Sequence, residues 1–205
     1  MYDLILTDPP YGILDEEWEP TNLLDFTHRW LKVALPRLKP AGRLYVCFSQ
    51  RYMLDLKPLV DELAGTSFTF GGVLIWNYRN VFNKKYSSAT YKPTYEPVFH
   101  WYCPDAPPLR YDTDWNEERG DVWTLATPQS NYNDTRVHPA QKPLELFKGI
   151  IRTASQWEDF VLDPFAGSGT TAVAAQELGR RWRVIEQNPE YVQLIRARLQ
   201  PWARG

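Results

Sequence analysis

Asp163-Pro164-Phe165-Ala166-Gly167-Ser168-Gly169-Thr170-Thr171 is the most informative stretch of this 205-residue chain. The apolar run Phe160-Val161-Leu162-Asp163 leads into it as a strand, and Thr170 to Leu178 leaves it as a helix closed by Gly179. A glycine turn between a strand and a helix is the joint of an α/β fold. The alternation continues outward. Downstream, Trp182 to Glu186 reads as a strand and Pro189 to Leu199 as a last helix, while Leu144 to Ser155 upstream reads as a helix.

The other half of the chain repeats the pattern. Tyr2 to Thr7 is a strand stopped by Asp8-Pro9-Pro10-Tyr11-Gly12. A helix is predicted from Leu23 to Leu38, with Pro36 near its end and Pro40-Ala41-Gly42 as the break. Leu44 to Phe48 is a buried strand, Lys57 to Ala64 a helix with Pro58 in its first turn, and Phe68 to Trp76 a strand with a bulge at Gly71-Gly72. Residues 77–93 lack periodicity and read as a loop, Glu96 to Tyr102 as a strand, and residues 104–133 as irregular. The expected architecture is one domain over residues 1–205, a Rossmann-like, mostly parallel sheet with one antiparallel strand, carrying an inserted loop region over residues 77–133.

Composition removes several classes of function. Hydrophobic residues make up 43% and charged residues 23%, the balance of a folded globular chain. No apolar run reaches membrane-spanning length and no secretory signal opens the chain, so a cytoplasmic location without membrane contact is expected. Cys47 and Cys103 have neither metal nor disulfide spacing, so no metal is expected. The net charge of -2 means that any grip on nucleic acid must come from a local patch.

Two segments carry chemistry. In the glycine loop, Gly167 and Gly169 let backbone approach a ligand, and the helix N-terminus offers free N–H groups. Glu186, at the end of the next strand, stands where an acid can hold a ribose diol. A ligand-free turn and a dinucleotide site also fit this spacing; a triphosphate loop does not, because no Lys follows the second glycine. Asp163 before the loop suits a ligand with a free ammonium and a sulfonium better than a pyrophosphate. At the other segment, Pro9 and Pro10 stiffen a turn, Asp8 supplies a carboxylate and Tyr11 a flat face. A simple proline turn would look similar. As a site, it suits a planar ligand with an exocyclic NH₂: the Asp8 carboxylate and Pro9 carbonyl accept both N–H protons and free the nitrogen lone pair for in-line attack.

With His138-Pro139-Ala140-Gln141-Lys142-Pro143 between them, these two segments make the chain resemble the DNA amino-methyltransferases that act on adenine N6 or cytosine N4. The catalytic segment precedes the glycine loop, which is similar to the permuted class β. Leu38 to Tyr45, Leu74 to Asn77 and Asp121 to Trp123 also fit, so the likeness covers nearly the whole chain. It implies S-adenosylmethionine as cofactor and a flipped-out base of double-stranded DNA as substrate. Asp8, Pro9, Pro10 and Tyr11 would form the catalytic segment, with Tyr11 stacking on the base. Asp163, Phe165, Gly167, Ser168, Gly169, Thr170 and Thr171 would line the methionine end, with Asp163 facing the ammonium. Glu186 would hold the ribose, and Lys142 would help close the methionine side. Asp at position 8 resembles the adenine enzymes, whereas cytosine enzymes favour Ser there.

Arg79, Lys84, Lys85 and Lys92 lie among Tyr78, Phe82, Tyr86 and Tyr91 with no acid between them. Cations interleaved with aromatics suit phosphate contact and stacking, though a solvated surface loop has the same composition. The resemblance implies target contact here, with Arg79, Lys84, Lys85, Tyr86 and Lys92 as DNA-binding residues. Relatives commonly carry a further acidic lead-in before the first strand. The sheet is therefore expected to be short of one edge strand beside the strand ending at Glu186, an edge a second copy of the chain could cover.

Overall fold

The computed structural model of the protein describes residues 1–11, 20–78, 91–110, 120–128 and 141–202. Among these residues, strands β1 (Tyr2–Thr7), β2 (Leu38–Cys47), β3 (Thr69–Asn77), β4 (Tyr95–Tyr102), β5 (Val122–Thr124), β6 (Phe160–Asp163) and β7 (Arg181–Val184) form one sheet in the order β5-β3-β4-β2-β1-β6-β7. β4 runs antiparallel to both its neighbours, and the remaining pairings are parallel. The expected sheet type is therefore present, and β7 is an edge among the described residues.

Helices α1 (Leu23–Ala34), α2 (Met53–Ala64), α3 (Leu144–Ala154), α4 (Thr170–Glu177) and α5 (Pro189–Leu199) complete the layers. In α1, the Asn22 side chain caps the first turn at Asp25 N, and Leu23, Thr27, Trp30, Leu31 and Ala34 share the buried face. α1 packs on α2, and α3 packs on α4. Crossovers from β1 to β2 and from β6 to β7 run in opposite directions along the sheet. The right-handed rule for such crossovers then sets α1 and α4 on opposite faces. Leu4, Ile5 and Leu6 of β1 are fully buried between these layers. No helix among the described residues is long and apolar enough to cross a membrane.

Four sequence expectations are corrected. The predicted helix to Leu38 ends at Ala34, continues as one tight turn over Leu35–Arg37, and Leu38 already belongs to β2. Pro40-Ala41-Gly42 does not break the chain but lies within β2, where Tyr2 pairs with Leu38 and Leu4 with Arg43. A strand absorbs a proline only where its N–H would go unused, and this irregular stretch is such a place. α2 begins at Met53, so Pro58 falls inside it; burial of Leu56, Val60 and Ala64 on one face outweighs one missing hydrogen bond. Within residues 104–133, expected to be irregular, Val122–Thr124 forms β5 beside β3, three residues being too few to show a period.

Candidate active site

β1 and β6 are adjacent and parallel, and the chain leaves them toward opposite edges of the sheet. The carboxyl ends of two such strands open the crevice where α/β sheets bind ligands. Asp8 follows β1 and the glycine loop follows β6, so the fold brings together the two segments singled out in the sequence. A hydrogen bond joins them: Thr7 Oγ1 donates to Asp163 Oδ1 at 2.7 Å.

The loop is shaped by its own residues. Asp163 Oδ1 also accepts from Phe165 N at 3.0 Å, and Oδ2 accepts from Thr171 Oγ1 at 2.5 Å. The carboxylate is buried and spent on the loop rather than turned outward. Burial pushes its carboxyl up to about 6, against the pull of these three donors. Gly167 and Gly169 have φ of 49° and 81°, and a Cβ on Gly169 would come within 2.8 Å of Ile195 on α5. Arg198, on the same helix, donates to Ser168 O at 2.9 Å and Ser168 Oγ at 3.2 Å. Phe165 packs between Phe26 and Trp30 of α1, each ring centroid 5.5 Å away. Thr170 and Thr171 are buried in the first turn of α4. Glu186, two residues beyond the end of β7, accepts from Gly167 N and from Asn188 N, both at 2.8 Å. The predicted strand to Glu186 thus stops at Val184, and Glu186 lies in the turn against the loop.

The segment after β1 is wired differently. Lys142 Nζ lies 2.8 Å from Asp8 Oδ2 and 2.8 Å from Glu96 Oε1. Tyr11 donates its hydroxyl to Asp8 Oδ1 and lies 3.1 Å from Glu96 Oε1. The Lys142 side chain is only 7% exposed, and those of Asp8 and Glu96 are 18% exposed. Burial works against the Lys142 charge, but Asp8 and Glu96 overcome it and hold the ammonium well above the usual lysine value. Burial pushes the Glu96 carboxyl up, opposed by Lys142 and reinforced by Asp8. Burial, then Asp8 and Glu96, push the Tyr11 phenol well up, so it stays protonated. Ligand atoms of Asp8, Cys47 and Glu96 lie within 4.8 Å of one another, a spacing a metal could use. The Lys142 ammonium already bridges both carboxylates there, and burial, foremost, keeps the Cys47 thiol protonated.

Several placements differ from the sequence reading. Tyr11, expected as an open aromatic wall, is buried: its ring packs edge-on against Phe48, with Lys142 Nζ 5.3 Å from the centroid. Two carboxylates claim its hydroxyl and draw the ring inward. Lys142, expected toward the methionine side, has its ammonium on Asp8. Pro9 is buried and Pro10 half-buried beside them. Sequence reasoning missed Glu96. A lone acid opening an otherwise apolar strand, Tyr95–Tyr102, was the available signal, since such an acid needs a cationic partner. Arg79, Lys84, Lys85 and Tyr86 lie outside the described residues, as does His138; Lys92 is exposed on the approach to β4.

A family model described as DNA methylase matches residues 2–197. The DNA adenine methyltransferase YhdJ of Escherichia coli (strain K12) is 30% identical over 96% of this chain and 76% of its own. The type II methyltransferase M.HpaI of Haemophilus parainfluenzae is 28% identical over 96% of this chain and 68% of its own. Among solved structures, the M1.HpyAVI–SAM complex superposes with a TM-score of 0.71 at 26% identity, covering 97% of this chain and 89% of that one.

Proposed function

The chain belongs to the DNA methylase family of N6 and N4 methyltransferases, and from that premise we propose that it methylates the N6 amine of a flipped-out adenine in double-stranded DNA, with S-adenosylmethionine as donor. The observation that carries this reading is the Thr7–Asp163 hydrogen bond, which ties the end of β1, next to Asp8, to the glycine loop at one crevice.

The residues present fit the cofactor. The left-handed Gly167 and Gly169 shape a loop whose backbone lies at the crevice, and Glu186 is fixed at the loop with a carboxylate suited to a diol. When bound, the cofactor supplies an electrophilic methyl on sulfur. The loop would orient that end through backbone N–H groups, and Asp163 shapes the loop from within. Asp8 uses one lone pair of each oxygen on Tyr11 and Lys142, and a carboxylate has about four such sites, so it can still accept an amine N–H. The Pro9 carbonyl takes the second N–H, and the nitrogen lone pair turns toward the methyl. Arg79, Lys84, Lys85, Tyr86 and Lys92 are assigned to grip the DNA around the displaced base.

Adenine rests on Asp at position 8 and on the likeness to an adenine methyltransferase. Single-molecule sequencing of DNA from cells with and without the protein tests it. N6-methyladenine in one sequence context is expected; N4-methylcytosine would move the assignment to cytosine, and unmodified DNA would overturn it.

A further inference from the structure

The corner around Asp8 holds two carboxylates against one ammonium, a combination that positioning alone does not require. Asp8, Glu96 and Lys142 carry a net charge of -1 when both acids are ionised. The groups facing Glu96 are Lys142 from the segment before α3, Asp8 and Tyr11 from the segment after β1, and Cys47 from β2. Tyr11 has one hydroxyl proton and two carboxylate oxygens within reach, Asp8 Oδ1 and Glu96 Oε1. That is the geometry of a two-step proton relay.

We propose that Glu96 is a positioning residue that takes up, through Tyr11, the proton Asp8 receives from the methylated amine. The inference rests on the methyl-transfer reading above. In that reaction, the nitrogen–carbon bond forms from the nitrogen lone pair. The sulfur–carbon bond breaks and leaves its pair on sulfur. The amine then holds one proton too many. Asp8 Oδ1 accepts it; Asp8 passes it to the Tyr11 oxygen as the Tyr11 hydroxyl proton moves to Glu96 Oε1. Tyr11 ends as it began, Asp8 is again a carboxylate, and the Asp8–Glu96–Lys142 group is neutral. The phenol is never ionised, in keeping with the acids around it. Burial raises the affinity of Glu96 for a proton, and Lys142 holds both carboxylates in register.

The test compares wild type, Glu96→Gln, Glu96→Asp, Tyr11→Phe and the Glu96→Gln/Tyr11→Phe double variant on duplex DNA carrying the modified context. Glu96→Gln and Tyr11→Phe should each lower kcat by roughly 10²-fold with KM for DNA little changed, the low range of proton-transfer contributions. The double variant should be no slower than the worse single one, because both cut the same relay. Glu96→Asp should recover part of kcat. The acidic limb of the wild-type kcat profile should disappear in Glu96→Gln. A readout without cofactor is carbon-13 titration of glutamate carboxyls: one should titrate above the rest in wild type and be missing in Glu96→Gln. Additive losses, or kcat and pH profile within twofold of wild type in Glu96→Gln, overturn the proposal. Should Glu96→Gln fail to fold, Tyr11→Phe, which keeps the ring and both ion pairs, decides it by the same kcat criterion. Loss of methyl transfer in wild type itself would instead overturn the methyltransferase reading.

Discussion

The glycine loop and the Asp8 corner occupy the ends of neighbouring strands, yet they are held by different means. The loop is shaped chiefly by its own residues, Asp163 bonding Phe165 and Thr171 and two glycines setting the backbone, while Thr7, Glu186 and Arg198 pin it from other elements. The corner is assembled at long range, from the turn after β1, the start of β4 and the segment before α3. The loop is a matter of backbone shape, the corner of charge balance. Damage to one should therefore register in cofactor binding and damage to the other in the chemical step.

Asp8→Ala is the largest expected separation. Methyl transfer should fall by about 10³-fold or more, because the proposed acceptor of both the amine N–H and its released proton is removed. Cofactor affinity, read by calorimetry, should stay within severalfold of wild type. Equal losses in both would erase the distinction between the two regions. Gly169→Ala should do the reverse. A left-handed backbone with a Cβ against Ile195 should cost roughly 2–3 kcal/mol of stability and weaken cofactor binding about tenfold, with kcat at saturating cofactor much less affected. Denaturation and calorimetry measure both, and an unstrained variant with native affinity would contradict the described loop.

The smallest effect concerns pH. The Asp163 carboxyl titrates at about 6 in the folded chain against an ordinary 3.8. Folding therefore binds a proton between those values, so the contribution of Asp163 is complete below about pH 4 and is lost as pH rises through 6. Asp163→Asn removes this term. Wild-type stability relative to that variant should fall by on the order of 2 kcal/mol between pH 4 and pH 7, with the slope confined to that window. Parallel stability curves would mean that the loop carboxylate is not buried as described. In the corner Lys142 is held charged, and Glu96, whose carboxyl burial also raises, gives a dependence of the same sign that Asp163→Asn leaves in place.

The same contrast explains what the sequence made legible. Asp163 to Thr171 is contiguous, and glycines at a strand-to-helix joint have few other uses, so the loop and its flanking elements were readable. Asp8 was readable because prolines ended its strand. Glu96 was not: Tyr95–Tyr102 looks like any core strand, and its acid acquires meaning only when β4 lies near Lys142. Nor could Tyr11 be seen turning inward, because that depends on the acid 85 positions away. The stretch over Pro40 and Gly42 misled for a related reason. Local turn chemistry pointed to a break, but pairing with β1 on either side of it, at Leu38 and from Arg43 onward, keeps the stretch within the strand.

β4 has a consequence for which changes the chain can survive. Because it runs against its neighbours, its first residues rather than its last meet the ends of β1 and β6. Near Glu96 the ladder with β3 is unbroken, Leu74 to Val98, Ile75 to Pro97, Trp76 to Glu96 and Asn77 to Tyr95. The irregularity between Phe70 and Gly72 is confined to the far end. Side chains alternate between faces, so a deletion of one residue between Tyr95 and Val98 would turn Glu96 to the wrong side of the sheet. The same deletion near Phe70 could be absorbed by closing the bulge. Length variation in this hairpin should thus be tolerated at one end and forbidden at the other, within one and the same ladder.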